Sequence, residues 1–334
     1  MLFNFNKNKS YYSCKCLEET VILHHDWYSI CSMYGHPNHI YRPLFEWKND
    51  KFDYKKFLKE KKKIIEAHKK GKIHKGCVGC KDLEKREWQG KCDKIYHIHF
   101  RLSKKCNAKC IYCRDDTDNI SPDRLFFDDL KKLVDNNIID KNALMELGGG
   151  EMSLHEEFEQ IVNYLVDNGF RNYKFYTSCL KYSPAFARAL ALDCCDVIVS
   201  SDAGDRETFI KIKQADTYDR LWGNLKKYVE AQNENKYQVK AKSIIIRGIN
   251  DTEEQINAFL EKSKEIGIKE VRYDIETLES LKLQKVLNTE VIGYLFKLIK
   301  YSKEQAENVY GLKHSLHLNA ETLIKKYPEI YENS

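Results

Sequence analysis

No apolar run in the chain approaches the roughly 18 residues that a membrane-spanning helix needs. The first ten residues carry Lys7 and Lys9 but no apolar block. The first absence excludes a helical membrane span. The second argues against a secretory signal and leads to the expectation of a cytoplasmic protein. Cysteine is absent after position 195, so any thiol chemistry belongs to the first two thirds of the chain. What is plentiful is cysteine before that point: twelve in 334 residues, which in a cytosolic chain argues for metal or redox chemistry rather than disulfides. With 42% apolar and 12% aromatic residues there is enough for a sizeable core, arranged as one large domain or as a domain with a smaller partner. The formal charge of +6 is modest, and much of it lies in residues 51–75, so a nucleic-acid partner is permitted but not required.

The chain is organised around residues 101–113, where Cys106, Cys110 and Cys113 stand at the spacing C-x3-C-x2-C directly after a strand-like run at 94–100. Three thiolates in so short a loop can grip three corners of a cube-shaped cluster. A fourth iron is then left without a protein ligand, and an open metal position is where chemistry happens. Zinc sites more often come as two C-x-x-C pairs, and a zinc knuckle borrowing one ligand from elsewhere is the competing reading.

Upstream, residues 16–31 read as a hairpin, with strands at 20–24 and 27–30, a turn at His25-Asp26, and a cysteine at each end, Cys16 and Cys31. Cys77-Val-Gly-Cys80 supplies a second pair, with Gly79 letting the backbone curl round a metal. Together these four form a candidate site closed to substrate, and zinc and a [4Fe–4S] cluster fit it equally on spacing alone. Cys14 rivals Cys16, Cys92 is a spare, and His24 and His25 could ligate, although a hairpin-turn histidine is more often just solvated. Residues 53–70 read as a helix with Phe57, Leu58, Ile64 and Ile65 on its apolar stripe and a lysine-rich face open to solvent. No aromatic–basic alternation there strengthens a nucleic-acid role.

After the triad the sequence alternates strand and helix patterns. Helices are expected over 121–137, 155–168, 183–192, 206–232 and 253–265, with strands at 143–147, 173–177, 196–200, 238–246 and 270–276. Such repeats give parallel strands joined by right-handed crossovers, here a partial barrel whose chemistry sits at the strand C-terminal ends. The polar and glycine-rich residues fall at those ends: the triad, Gly148-Gly149-Gly150-Glu151, Thr177-Ser178, Ser200 to Asp202, and Arg247 to Asp251. Arg272, Asp274 and Glu276 share one face of the last strand, either lining a pocket or pairing with covering helices. The tail from 278 reads as helical.

Those motifs resemble the radical S-adenosylmethionine (radical SAM) enzymes. The family's C-x3-C-x2-C loop is matched by Cys106, Cys110 and Cys113 with Tyr112 before the third cysteine, and its G-G-E motif by Gly149, Gly150 and Glu151, over residues 93–277. The resemblance implies a [4Fe–4S] cluster on the three thiolates, whose open iron chelates S-adenosylmethionine. It also implies cofactor contacts from Tyr112, Gly148, Gly149, Gly150, Glu151, Ser178, Ser200, Asp202 and Arg247. Thr177-Ser178 departs from the Thr-Asn-Gly often found there. The cysteine–hairpin–cysteine followed by C-x-x-C resembles SPASM or twitch auxiliary modules, placed here before the barrel, and shifts the preferred group at Cys16, Cys31, Cys77 and Cys80 to a second [4Fe–4S] cluster.

The expected fold is therefore α/β: a partial (β/α)6 TIM-like barrel over 93–277, an N-terminal cysteine-rich auxiliary-cluster module over 1–92, and a helical C-terminal segment over 278–334. The expected activity is reductive cleavage of S-adenosylmethionine to a 5′-deoxyadenosyl radical that takes hydrogen from a peptide or a small polar metabolite or sugar. A flavodoxin or ferredoxin is the implied electron donor. The contrasting reading is a non-catalytic zinc or iron–sulfur protein that binds nucleic acid.

Overall fold

The computed structural model describes residues 10–25, 27–31, 47–48, 52–80, 82–90, 93–113, 123–232 and 239–334. The six runs expected as barrel strands all form: β6 (Ile95–Arg101), β7 (Ile139–Leu147), β8 (Tyr173–Thr177), β9 (Cys195–Ser200), β10 (Val239–Ile245) and β11 (Glu270–Ile275). Earlier in the chain lie β1 (Tyr11–Ser13), β2 (Thr20–His24), β3 (Trp27–Ser29), β4 (Trp47–Lys48) and β5 (Glu84–Arg86); β12 (Lys313–Leu316) comes last. Strands β6 to β11 pair in parallel and in chain order, each return being made by helix, as right-handed crossovers require.

Two elements extend this sheet beyond the sequence expectation. The hairpin forms, with Ile22 opposite Ser29 and Leu23 opposite Tyr28, but β2 also pairs in parallel with β6. The sheet thus runs continuously from residues before position 92 into those after it. At the other edge β12 pairs in parallel with β11, so the tail is not wholly helical. The result is a ten-stranded sheet, with β1 and β5 forming a separate antiparallel pair.

One face of the sheet packs on helices. Phe175 of β8 meets Phe186 at 4.1 Å and Phe158 at 5.2 Å between ring centroids, and Tyr273 of β11 meets Phe259 at 5.7 Å. Strand alternation turns Lys174, Tyr176, Arg272 and Asp274 to the opposite face. That face is concave. In a flat sheet β8 and β12 would stand about 19 Å apart, yet the Tyr176 ring lies 6.3 Å from that of His317, one residue beyond β12. The sheet curls into an open trough rather than a closed barrel.

Local chemistry explains most helix ends. Ser183 accepts from Phe186 N at 3.1 Å with Pro184 at the first turn of Pro184–Ala191, and Thr252 accepts from Gln255 N at 3.3 Å to open Glu253–Glu265. The long helix expected over 206–232 is two, Arg206–Lys213 and Tyr218–Ala231, because Gln214 adopts a left-handed φ of 56°. Helix Tyr54–Lys69 buries Phe57, Ile64 and Ile65 as expected. Lys61 on the same helix is buried too, its ammonium donating to the Glu18 carbonyl, so the lysine-rich face is not uniformly solvated. The Ser121-Pro122 cap expected for the first barrel helix, Asp26 of the hairpin turn, and Cys92 lie outside the described residues; the helix itself spans Phe127–Asp135.

Two glycines give contrasting stability predictions. A Cβ on Gly204 would sit 2.0 Å from the Ala258 carbonyl oxygen, so the loop after β9 lies directly on helix Glu253–Glu265. Gly223 lies inside helix Tyr218–Ala231 with nothing within 4 Å of its Cβ position. In urea unfolding Gly204→Ala is expected to destabilise by about 1–3 kcal/mol through overpacking. Gly223→Ala is expected to stabilise by about 0.5–1 kcal/mol. Equal effects of the two substitutions would contradict this packing.

Candidate active site

The cysteine loop leaves β6 at the strand's C-terminal end and is held by backbone on two sides. On one side Glu151 N donates to Lys105 O at 2.6 Å, and Gly148 N to Phe100 O at 3.0 Å. Gly150 has φ +52° and approaches so closely that a Cβ would lie 2.7 Å from Lys105 O; Gly149, at φ +80°, sits over the Arg101 side chain. Both positions require glycine, for φ and for space. On the other side Lys109 N donates to Lys213 O at 3.2 Å and Ile111 N to Ile212 O at 3.0 Å, tying the loop to the last turn of Arg206–Lys213.

Within this frame Cys110 and Cys113 lie near enough to Cys106 to act on its thiol. Cys113 N donates to Cys110 O at 2.9 Å. Burial pushes the Cys106 thiol up to about 11, with Cys110 and Cys113 adding to the rise and a hydrogen bond from the Ala108 backbone opposing it. A single tetrahedral zinc with sulfur bonds of about 2.3 Å would hold its thiolates about 3.8 Å apart. Among the described residues no three cysteines gather their sulfurs within 4.8 Å. Three thiolates on one short loop are the donor set for three corners of a cubane, and the residues present fit a [4Fe–4S] cluster.

Glu151 is fully buried and its carboxylate is occupied by the protein itself. Oε1 accepts from Ser153 N and Oγ at 3.2 and 2.7 Å; Oε2 accepts from Thr177 Oγ1 at 2.8 Å and Ser178 N at 2.6 Å. Ser178 Oγ lies 2.6 Å from Glu151 Oε2 and 3.1 Å from Asn107 Oδ1, so these side chains join the ends of β7 and β8 to the cysteine loop. Glu151 thereby ties the strand ends together.

Asp202 follows β9 in a left-handed conformation, φ 62°. Its Oδ2 accepts from the Tyr112 hydroxyl at 2.6 Å and from the Lys213 ammonium, and its Oδ1 from Ile244 N at 3.0 Å. Side-chain exposures of 2% for Lys213 and 0% for Asp202 make this a fully buried ion pair. Burial pulls Lys213 down, but the Asp202 carboxylate, with Cys110 beside it, outweighs that and holds the ammonium above its usual range. The Tyr112 phenol is raised by burial and then by Asp202. Lys213 was not legible as a site residue. Ser200 ends β9 on the concave face opposite Lys242 of β10. Arg247 is directed to the C-terminal helices, donating to Glu279 Oε1 at 3.0 Å and lining a surface cavity with Tyr294 and Glu329.

The trough is lined with charge. Asp196 pairs with Lys240 at 2.8 Å, and Arg272 Nε lies 3.3 Å from Ser315 Oγ. Asp274 accepts from His317 Nδ1 at 2.9 Å and from Asn319 N and Ala320 N at 3.0 Å each, capping helix Leu318–Lys326. Glu276 instead caps Thr277–Lys285, accepting from Leu278 N and Glu279 N, so the three residues do different work.

The upstream cysteines form two sets. Cys14 accepts from Leu17 N at 3.4 Å as the cap of Lys15–Glu19, and its thiol is raised foremost by a hydrogen bond with Cys16, then by burial, with Cys31 contributing. Cys80 N donates to Cys77 O at 3.1 Å round Gly79, whose φ is +74°. Burial pushes Cys77 up to about 11, with Cys80 adding to it.

Removing one member of the buried pair leaves the other charged and uncompensated. Asp202→Asn is expected to cost about 3–5 kcal/mol, and Asp202→Asn with Lys213→Met to recover most of it. Because Lys213 is raised, the pair's contribution is full below the ordinary lysine value of about 10.4 and is lost as pH rises through the raised one. Denaturant titrations across alkaline pH test both; a double variant no more stable than Asp202→Asn would contradict the pairing.

Residues 100–262 match the Radical SAM superfamily model. A probable GTP 3′,8-cyclase of Methanothermobacter thermautotrophicus is 28% identical over 162 residues, 48% of this chain and 51% of that protein. The mycofactocin maturase MftC of Mycolicibacterium smegmatis is 25% identical over 123 residues, 36% of this chain and 31% of that one. Among solved structures, Streptococcus suis SuiB bound to S-adenosylmethionine aligns with a TM-score of 0.53 at 16% identity, covering 84% of this chain and 60% of SuiB, and SuiB bound to its precursor peptide SuiA aligns equally well. The chain thus spans about half the length of the curated cyclase it matches. The match to the Radical SAM superfamily model thus falls on residues 100–262, which are built on an open parallel sheet.

Proposed function

We propose that the protein is a radical SAM enzyme acting on a polar substrate held in its trough. The observation that carries this reading is the approach of Gly150 to the cysteine loop, 2.7 Å from a would-be Cβ to Lys105 O, which fixes the G-G-E backbone against the start of that loop. A [4Fe–4S] cluster with S-adenosylmethionine supplies the chemistry when bound: reductive cleavage to a 5′-deoxyadenosyl radical that takes a hydrogen atom from substrate. The chain's own part is position and exclusion of water. Cys106, Cys110 and Cys113 would hold three irons, Gly149 and Gly150 after Gly148 present backbone where side chains would clash, and Tyr112, Ser178 and Ser200 border the same strand ends. Asp202 acts through Tyr112 and Lys213, since its oxygens are already engaged.

The N-terminal segment 1–92 is read as a SPASM- or twitch-like module ahead of a barrel over 93–277 and a tail over 278–334, the sheet running through the first division. Cys16, Cys31, Cys77 and Cys80 are its proposed ligands for a second [4Fe–4S] cluster. Cys14 already has work as a helix cap, which favours Cys16. A flavodoxin or ferredoxin is the proposed electron donor. The charged trough favours a peptide or a small polar metabolite or sugar, and the relatives support both kinds: SuiB has been solved with a precursor peptide, and the cyclase is named for GTP.

Incubation of the anaerobically reconstituted protein with dithionite and S-adenosylmethionine tests the reading. Release of 5′-deoxyadenosine is expected, abolished in Cys110→Ala and retained in Cys77→Ala, with about eight irons per chain in the wild type and about four in Cys77→Ala. No release from fully loaded wild-type protein would overturn it.

A further inference from the structure

Strand β6 carries two histidines two residues apart, His97 and His99. A strand's period of two puts both on one face, while Ile98 and Phe100 are fully buried on the other. The neighbouring strand β7 places Glu146 opposite His99 in register. Its Oε2 then stands 3.0 Å from His97 Nε2 and 2.9 Å from His99 Nδ1, and the two imidazole rings are 4.2 Å apart. Among the described residues this is the one group of three metal-ligand atoms within 4.8 Å of one another. All three side chains are 15–16% exposed, so the cluster opens into the trough rather than being sealed in the core.

We propose that His97, His99 and Glu146 form a site for a divalent first-row transition ion, separate from every cysteine, with its open positions turned to the trough. Donor atoms about 2.1 Å from an ion and at right angles to each other lie about 3.0 Å apart. The nitrogen–oxygen separations of 3.0 and 2.9 Å match that figure. Two imidazoles and one carboxylate on one side of an ion are the donor set that leaves the opposite positions free. The surroundings suit ligation as well. Thr20 Oγ1 on β2 lies 3.4 Å from His97 Nδ1, fixing the ring through its far nitrogen, as partners behind metal-bound histidines do. Lys174 Nζ lies 3.8 Å from Glu146 Oε1, leaving Oε2 as the ligating oxygen. The Lys174 side chain is 37% exposed and free to swing toward water when a cation enters. An ion here would take an oxygen donor of the substrate, a hydroxyl or carboxylate, in its open positions. The site does not depend on the radical chemistry, so either proposal can fail without the other.

The competing state is a hydrogen-bonded His–Glu–His trio that holds no ion. Manganese(II) distinguishes them, because thiolates compete for it poorly. Added to the reconstituted, oxidised protein, it is followed by the loss of the free-ion electron paramagnetic resonance signal. About one ion per chain is expected, with nitrogen couplings in pulsed spectra of the bound ion. Glu146→Gln and His99→Gln should weaken binding roughly tenfold or more, and Thr20→Val several-fold. Cys77→Ala should leave it unchanged. No uptake, a bound ion without nitrogen coupling, or wild-type affinity in Glu146→Gln would each overturn the proposal. If the ligand variants fail to fold, the wild-type nitrogen couplings and Thr20→Val still decide it.

Discussion

Lys213 holds the cysteine loop at two points, and the geometry of the site follows from that. Its carbonyl accepts from Lys109 N, and its buried ammonium meets Asp202 and Tyr112 beside Cys110. A loop of polar and small residues has little apolar surface with which to fix itself, and its stiffness has to come from elements around it. Here the last turn of one helix and the glycine bend after β7 close on it from opposite sides. The ion pair is costly to bury and more costly to break, so the loop is coupled to the ends of β9 and β10 by a contact that tolerates little change.

The sequence was legible wherever periodicity or a backbone constraint spoke alone. β8 and helix Glu253–Glu265 fall where alternation, capping residues and glycine stops placed them, and Gly79 curls the backbone at positive φ as its motif implied. What could not be read depended on which strands meet. β2 reads as half of a hairpin, and nothing local says that its other edge will pair with β6. β12 is four residues long, a length that leaves almost no pattern. Lys213 reads as one more lysine inside the helix expected over 206–232, until Gln214 breaks that helix and the loop folds over it. His97 and His99 do carry a signal, the i, i+2 spacing on a strand, but their shared partner Glu146 becomes visible only with the register of β7.

The concave face explains why the partial barrel is open. A closed barrel of this strand number would be filled by layers of branched side chains. This one is lined by paired charges, Asp196 with Lys240 and Asp274 with His317, together with the His97, His99 and Glu146 cluster. Such groups are tolerable only where water or a polar ligand completes their hydrogen bonding. Apolar packing is confined to the helix-facing side, through Phe158, Phe175 and Phe186. The division of labour is plain: one face of the sheet makes the fold, and the other is kept polar for a guest.

Held by three thiolates, a [4Fe–4S] cluster would leave one iron open to S-adenosylmethionine. The most direct test of this is the electron paramagnetic resonance spectrum of the reduced, reconstituted protein before and after that compound is added. A shift of the signal that survives Cys77→Ala and vanishes with Cys110→Ala is the predicted result. A spectrum indifferent to S-adenosylmethionine in fully loaded protein would contradict the account.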